Sequence, residues 1–135
     1  MSKPVFEQTI VIREEHLDTF GHVNNARYLE MFEQARWDLI TENGFGLEQV
    51  KASGTGPVIL EVTLKFMREV GNRQTMRIVS TLDSYEGKIG RMTQLLLDDQ
   101  ERVCCEGKFV FGQWDTKTRK LIEPTPEWRR AVGLL

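Results

Sequence analysis

The hydrophobic and polar positions follow a helical period in only one long stretch of the chain. There the apolar side chains recur every three or four positions, at Tyr28, Met31, Phe32, Ala35, Leu39 and Ile40. Asn24 or Asn25 is a suitable N-cap, and Asn43-Gly44 is a typical C-terminal stop. The pattern predicts one helix of about five turns with a single apolar face.

Elsewhere the pattern alternates with a period of two. Five segments are rich in β-branched and aromatic residues and are predicted strands: 5–12, 58–69, 74–85, 88–98 and 102–114. The links 70–73, 86–87 and 99–101 are short, which favours antiparallel hairpins over parallel crossovers. Segment 53–57 is predicted to be a flexible connection after a short turn at 47–51, and 127–132 a terminal helical turn. The elements predict an α+β fold in which a strongly curved sheet of about five strands wraps around the helix.

Composition and charge narrow the class of protein. The 135 residues are 40% hydrophobic and 28% charged, which is typical of a single globular domain spanning 1–135. A net charge of −2 argues against a general nucleic-acid binder. No apolar run is long enough to span a bilayer, and the N-terminus lacks a signal-peptide core. Cys104 and Cys105 are adjacent, so at most one is expected in the core. We predict a cytoplasmic protein, and the long strand edges and the second sheet face favour a homodimer or homotetramer.

The loop 13–23 holds the candidate chemistry. Asp18 lies a few residues before the predicted helix, whose first turn presents unpaired backbone N–H groups and the positive end of the helix dipole. A carboxylate beside such a helix end supplies a base or nucleophile together with an oxyanion hole. These are the parts needed for acyl transfer, although Asp18 in a purely structural capping role fits the same position.

The loop and helix also resemble a known family. The residues that carry the resemblance are Asp18, Gly21, the run His22-Val23-Asn24-Asn25, and the helix sequence YLEMFEQAR from Tyr28 to Arg36. They resemble the 4-hydroxybenzoyl-CoA thioesterase family of acyl-CoA thioesterases, which has the hotdog fold. The segment FGQWDTKTRKLIEPTPE is similar to the family's last strand and tail. The family's R-P-A-x-x-G-D-like turn is replaced here by residues 68–72, REVGN, without the proline and the aspartate.

The resemblance implies roles for individual residues. Asp18 matches the catalytic aspartate, as nucleophile or as general base, and the Asn25 backbone N–H would polarise the thioester oxygen. Gly21 would let the loop backbone approach the substrate. The predicted substrate-binding residues are Gly21, His22, Asn24, Tyr28, Arg68 and Arg91, with Lys65 and Lys88 as further candidate cations near the nucleotide of CoA. The expected substrate is an acyl-CoA or acyl-carrier-protein thioester, with no metal and no organic cofactor.

Other interpretations of these residues remain open. His16, Asp18 and His22 lack the further ligands that a metal shell needs. A hotdog hydratase or dehydratase would pair His22 with Asp18, and a non-catalytic acyl-thioester binding protein would keep the pocket without turnover. On the helix, Glu33 is expected to form a salt bridge with Arg36 or with a partner chain.

Overall fold

The structure is a computed structural model that describes residues 4–134, in which one six-stranded antiparallel sheet packs against a long helix. The strands are β1 (Pro4–Val11), β2 (Thr55–Phe66), β3 (Thr75–Glu86), β4 (Ile89–Leu97), β5 (Val103–Asp115) and β6 (Lys120–Ile122). The helices are α1 (Asn25–Glu42), α2 (Leu47–Ser53) and α3 (Pro126–Ala131), and a single 3-10 turn covers Glu14–His16. The predicted α+β architecture is confirmed.

Helix α1 begins and ends where the sequence predicts. Asn24 is its N-cap, and the side-chain oxygen of Asn24 accepts the Ala26 N–H at 2.9 Å. The helix is 18 residues long, which corresponds to roughly 27 Å. Its buried face consists of Tyr28, Met31, Phe32, Ala35, Leu39 and Ile40. This face packs on one side of the sheet and divides the core into a cluster near the start of α1 and a second cluster near its end.

The strand order corrects one prediction. The sheet runs β1-β3-β4-β5-β2, so β2 pairs with β5 and does not form a hairpin with β3. The short link after β2 instead pairs with the loop before α1, because Val23 N–H donates to Val70 O at 2.9 Å and Arg73 N–H donates to Ile12 O at 2.8 Å. These bonds direct β3 against β1 and leave β2 at the opposite edge. The hairpin links between β3 and β4 and between β4 and β5 are confirmed.

One further prediction about the strands was wrong, and one short strand was not predicted. Thr55 and Gly56 are buried in β2, although segment 53–57 is predicted to be flexible. The hydroxyl of Thr55 accepts a hydrogen bond from Gln113 Nε2 at 3.0 Å, so the start of β2 is tied to β5. Strand β6 was not predicted because it is only three residues long and lies in a polar segment, where pairing with β5 defines it.

The adjacent cysteines are both buried, so the expectation that at most one lies in the core was wrong. Cys104 is 2% exposed and Cys105 is not exposed. Neighbouring positions of a regular strand face opposite sides of a sheet, but the register of β4 and β5 shifts here: Leu96 pairs with Cys105 and Leu97 with Val103, so Cys104 is the extra residue of a bulge. Both cysteines belong to the core cluster near the start of α1, and Asp98 Oδ2 lies 4.0 Å from the Cys104 sulfur. Burial raises the pKa of Cys105 to about 12, which keeps this thiol protonated at neutral pH.

Candidate active site

The loop before α1 is fixed by backbone hydrogen bonds on both sides. Asp18 N–H donates to His22 O at 2.8 Å, and Leu17 forms an isolated β-bridge with Val23. Asn24 N–H donates to His16 O at 2.9 Å, which closes the loop at the start of the helix. Asp18 is therefore held in a defined position next to the N-terminus of α1.

The two oxygens of the Asp18 carboxylate have different surroundings. Oδ1 accepts the backbone N–H groups of Phe20 at 2.8 Å and His22 at 3.2 Å. Oδ2 receives no hydrogen bond from any residue between 4 and 134. Gly21 closes this tight turn with φ +82°, a conformation that L side chains rarely adopt. The turn orients the carboxylate through one oxygen and leaves the other without a donor among the described residues.

The first turn of α1 offers a hydrogen-bond donor beside this carboxylate. The Asn24 side chain takes the Ala26 N–H, and the Asn24 backbone oxygen takes the Arg27 N–H at 2.9 Å. The Asn25 N–H finds no acceptor among the described residues. The helix dipole adds positive potential at the same point. Asn25 thus presents the kind of backbone donor that an oxyanion hole requires.

Tyr28 lies one turn further along α1 and borders the same region. It is only 4% exposed, and its ring lies 5.4 Å from the ring of Phe66 at the end of β2. Burial raises the pKa of Tyr28 to about 12, and the charges of nearby groups that include Asp18 contribute to the shift. The phenol is protonated at neutral pH. Tyr28 forms an apolar wall of the site that carries one polar tip.

The imidazole of His22 contacts a different carboxylate from the predicted one. His22 Nε2 lies 3.1 Å from Glu69 Oε2, in an exposed pair. Only the backbone N–H of His22 contacts the Asp18 side chain. Glu69 belongs to segment 68–72, where the sequence departs from the family's turn. The predicted dyad of His22 and Asp18 is not formed in the described part of the chain.

The candidate cations fall into two groups. Arg68 lines a cavity of about 540 Å³ next to His22, together with Arg102, which sequence reasoning did not select. Arg91 lies on β4 next to the inward-facing Met92, and the alternation along a strand turns Arg91 to the sheet face away from α1. Lys65, in β2, alternates outward in the same way. Of the predicted cations Arg68, Arg91 and Lys65, the structure brings Arg68 alone close to the Asp18 loop.

The predicted salt bridge between Glu33 and Arg36 is absent from the ion pairs of the described residues. The Arg36 guanidinium instead donates to Gln94 Oε1 at 2.9 Å and lies 4.2 Å from the centre of the Phe109 ring. Burial lowers the pKa of Arg36 to about 10. A helix-surface pattern predicted an exposed pair, but the flank of α1 that carries Arg36 faces the sheet.

No group of three or more His, Cys, Asp or Glu side chains in residues 4–134 could hold a metal ion.

Comparison with known proteins identifies the family. A family model described as the thioesterase-like superfamily matches residues 12–132. The chain belongs to the thioesterase-like superfamily. The match covers the loop, α1 and every strand except β1, and it confirms the resemblance read from the Asp18 loop and the helix.

Individual members agree with this assignment. The long-chain acyl-CoA thioesterase FadM of Escherichia coli strain K12 is 33% identical over 124 residues, which cover 91% of this chain and 93% of that protein. The solved structure of the probable thioesterase YbaW from Escherichia coli superposes with a TM-score of 0.81 at 31% identity, covering 93% of this chain and 95% of that one. A Staphylococcus aureus protein solved in complex with CoA has the same fold, with a TM-score of 0.89 at 14% identity over 96% of this chain and 82% of that chain. The hotdog fold and the prediction of a thioester hydrolase are confirmed.

Proposed function

We propose that this thioesterase hydrolyses acyl-CoA thioesters and that Asp18 drives the reaction. The observation that carries the proposal is the pairing of an oriented carboxylate, whose Oδ2 has no donor among residues 4–134, with the unpaired Asn25 N–H at the start of α1. The FadM thioesterase, to which the chain is similar over most of its length, acts on long-chain acyl-CoA.

The mechanism follows from the charge that develops during hydrolysis. Attack on the thioester carbonyl places negative charge on its oxygen, and the Asn25 N–H and the dipole of α1 stabilise that charge. As a general base, Asp18 Oδ2 takes a proton from the water that attacks the carbonyl carbon; as a nucleophile, it attacks that carbon itself and forms a mixed anhydride, which a water then hydrolyses. In both routes the C–S bond breaks, the sulfur leaves as the thiol of CoA with one proton of the water, and the acid product leaves as its carboxylate after losing the other. Arg68 lines the 540 Å³ cavity, and its guanidinium would contact the phosphates of CoA there.

The hydratase alternative depends on His22. A proton-transferring pair of His22 with Asp18 is not formed, because the imidazole contacts Glu69. A pair of His22 with Glu69 keeps an imidazole beside a carboxylate, but both side chains are substantially exposed, at 42% and 74%. Water and proton transfer at an enoyl group would therefore take place in a solvated position. Asp18 and Asn25 account better for a thioester substrate.

The test is to measure free thiol release from a panel of acyl-CoAs and, in parallel, hydration of 2-enoyl-CoAs. Release of thiol by the wild type, with at least about 10²-fold loss in Asp18→Asn, is expected from the loss of a base or nucleophile. The matched control is Asp99→Asn, in the exposed turn after β4, which should keep wild-type turnover. Hydration of enoyl-CoA without thiol release would contradict the proposal and favour the hydratase. Saturable acyl-CoA binding without either reaction would favour a binding protein.

We also propose that the protein is a homodimer joined at the free edge of β2. The outer face of the sheet carries charged side chains such as Glu61 and Lys108, which disfavour a dimer that buries this face. The β2 edge is long and carries exposed apolar side chains, among them Ile59, Leu60 and Val62. An exposed apolar edge strand is a template for pairing with a second copy.

Sedimentation velocity tests the dimer. The wild type is expected at twice the monomer mass, and Leu60→Lys at the monomer mass, because charged residues on an edge strand oppose pairing. Leu47→Lys, at a 60% exposed position on α2, is the matched control and should remain dimeric. A monomeric wild type would contradict the proposal.

A cytoplasmic location remains a prediction from composition.

A further inference from the structure

Arg36 is a cation in apolar surroundings with few partners. Its guanidinium stacks on the Phe109 ring and donates from Nη1 to the neutral amide of Gln94. Gln94 is fully buried, and its Nε2 donates to Phe32 O and Ser80 Oγ, so the acceptor is itself fixed. Arg36 is held in place by this network and not by a carboxylate.

Most of the donors of this guanidinium remain unused. An arginine has five N–H donors, and Gln94 is the only acceptor that takes one among the described residues. Every fully buried side-chain nitrogen and oxygen atom in residues 4–134 has a hydrogen-bond partner, so the unpaired nitrogens of Arg36 reach open space. That space is a cavity of about 300 Å³ between α1 and the first residues of β2. Glu33 lines the outer part of this cavity as its one carboxylate. The other lining residues are apolar, among them Trp37, Ile40, Ile59, Met92, Phe111 and Trp128.

Charge decides which ligand this cavity favours. Arg36 is half-buried, and a partly desolvated cation without a paired opposite charge is costly. The low polarity around it strengthens any interaction with an anion. The charge of the Glu33 carboxylate acts on Arg36, but the Glu33 side chain is exposed and forms no ion pair with the guanidinium. A carboxylate entering the cavity can accept two parallel N–H groups from the guanidinium, which is the strongest arrangement available to arginine. An alkyl chain alone would leave these donors unpaired.

The cavity lies on the same flank of α1 as the proposed reaction centre. Near the start of the helix, Tyr28 on this flank packs against Phe66 of β2. Arg36 lies eight residues further along the helix, at the cavity. Between these points the inward side chains of β2 include Val62 and Leu64, which offer apolar surface along the helix. From the Asn25 backbone to the Arg36 backbone the helix rises roughly 16 Å. An extended acyl group with its thioester at Asp18 can therefore follow this flank toward the guanidinium.

We propose that Arg36 binds a carboxylate at the far end of the acyl group, so that monothioesters of dicarboxylic acids are preferred over unsubstituted acyl-CoAs of equal length. The proposal rests on the acyl-CoA thioesterase activity proposed above. Arg36 acts here as a specificity-determining residue and takes no part in bond breaking.

The test compares matched pairs of substrates. Hexanoyl-, octanoyl-, decanoyl- and dodecanoyl-CoA are each paired with the thioester of the dicarboxylic acid of the same length, and kcat/KM is measured by thiol release. At the best length the wild type should prefer the carboxylated substrate by roughly 10- to 100-fold, as a charge-assisted hydrogen bond in a buried site allows. Arg36→Met should remove this ratio and Arg36→Lys should keep part of it. Arg119→Met, in the exposed turn before β6, is the matched control and should retain the full ratio.

Each outcome separates the proposal from the underlying activity. A wild type that hydrolyses the unsubstituted chains equally well or better at every length overturns the role of Arg36, whether or not the variants fold. A preference that persists in folded Arg36→Met overturns it as well. Inhibition of octanoyl-CoA hydrolysis by free suberate but not by octanoate would support it on the wild type alone. Failure of the wild type to release thiol from any substrate would instead refute the thioesterase activity itself.

Discussion

The two ends of helix α1 differ in how completely their hydrogen-bonding groups are used. At the C-terminal end, Asn43 N–H donates to Leu39 O at 3.2 Å, the Asn43 side chain donates to Ala131 O at 3.0 Å, and Phe45 N–H donates to Ile40 O at 2.7 Å. At the N-terminal end, the Asn25 N–H has no acceptor among the described residues. The same helix therefore ends in a satisfied, packed terminus and begins in an open one.

The packing shows the same contrast. Phe45 is 3% exposed and its ring meets the Trp128 ring edge-on at 5.3 Å. Near the N-terminal end, Phe20 is 83% exposed and Phe66 is 51% exposed. The packed residues that follow α1 contribute mainly stability, whereas the start of α1 keeps polar and apolar groups available to the reacting thioester. Mutations at the two ends should consequently separate stability from activity.

The largest expected effect is at the C-terminal end. Phe45→Ala should lower the free energy of unfolding by about 3–5 kcal/mol, because it removes a buried ring and leaves a cavity. Urea denaturation measures this loss, and turnover per folded molecule should stay near the wild-type value. Leu47→Ala is the matched control, since Leu47 is 60% exposed and should change stability by less than about 0.5 kcal/mol. A strong loss of turnover in folded Phe45→Ala would contradict the claim that stability and activity depend on different ends of α1.

Gly21→Ala should lower stability less than Phe45→Ala does, and it should lower activity more. Gly21→Ala forces an L side chain into a conformation with φ +82°, at a cost of roughly 1–2 kcal/mol. Gly87 has φ +59° in the turn between β3 and β4, and an added Cβ meets nothing within 4 Å at either glycine. Gly87→Ala is therefore the matched control with similar strain. Only Gly21→Ala should lower kcat, because only that turn orients Asp18, and equal kcat values in the two variants would contradict this role.

The smallest expected effect separates two candidate cations. Arg68→Met should raise KM for acyl-CoA by up to about 5-fold, which corresponds to the roughly 1 kcal/mol of an exposed ion pair. The effect should shrink at high salt, because exposed charges are screened. Arg91→Met should leave KM unchanged, since Arg91 lies on the sheet face away from α1. The reverse order of the two variants would place the CoA phosphates on the outer face of the sheet.

The sequence predicted the local features well because they rest on local signals. These signals lie close together in the chain: they are the apolar period of α1, the capping Asn24 and the glycine near Asp18. The hotdog fold followed from the resemblance of that same loop and helix.

The features that the sequence missed depend on distant contacts. The place of β2 at the sheet edge depends on hydrogen bonds from Val23 to Val70 and from Arg73 to Ile12, across many residues of chain. The burial of both Cys104 and Cys105 accompanies a register shift in the pairing of β4 with β5. The surroundings of Arg36 depend on Gln94, which lies 58 residues further along. No periodicity or spacing reports such contacts.

The central claim is that Asp18 performs the chemistry at the open end of α1. Rapid mixing of acyl-CoA with excess enzyme separates binding from hydrolysis, because only one turnover is observed. We expect Asp18→Asn to bind acyl-CoA with nearly the wild-type Kd and to hydrolyse it at least about 10²-fold more slowly, while Asp99→Asn matches the wild type. A rate of hydrolysis in Asp18→Asn within a few-fold of the wild type would contradict the account and direct attention to His22 and Glu69.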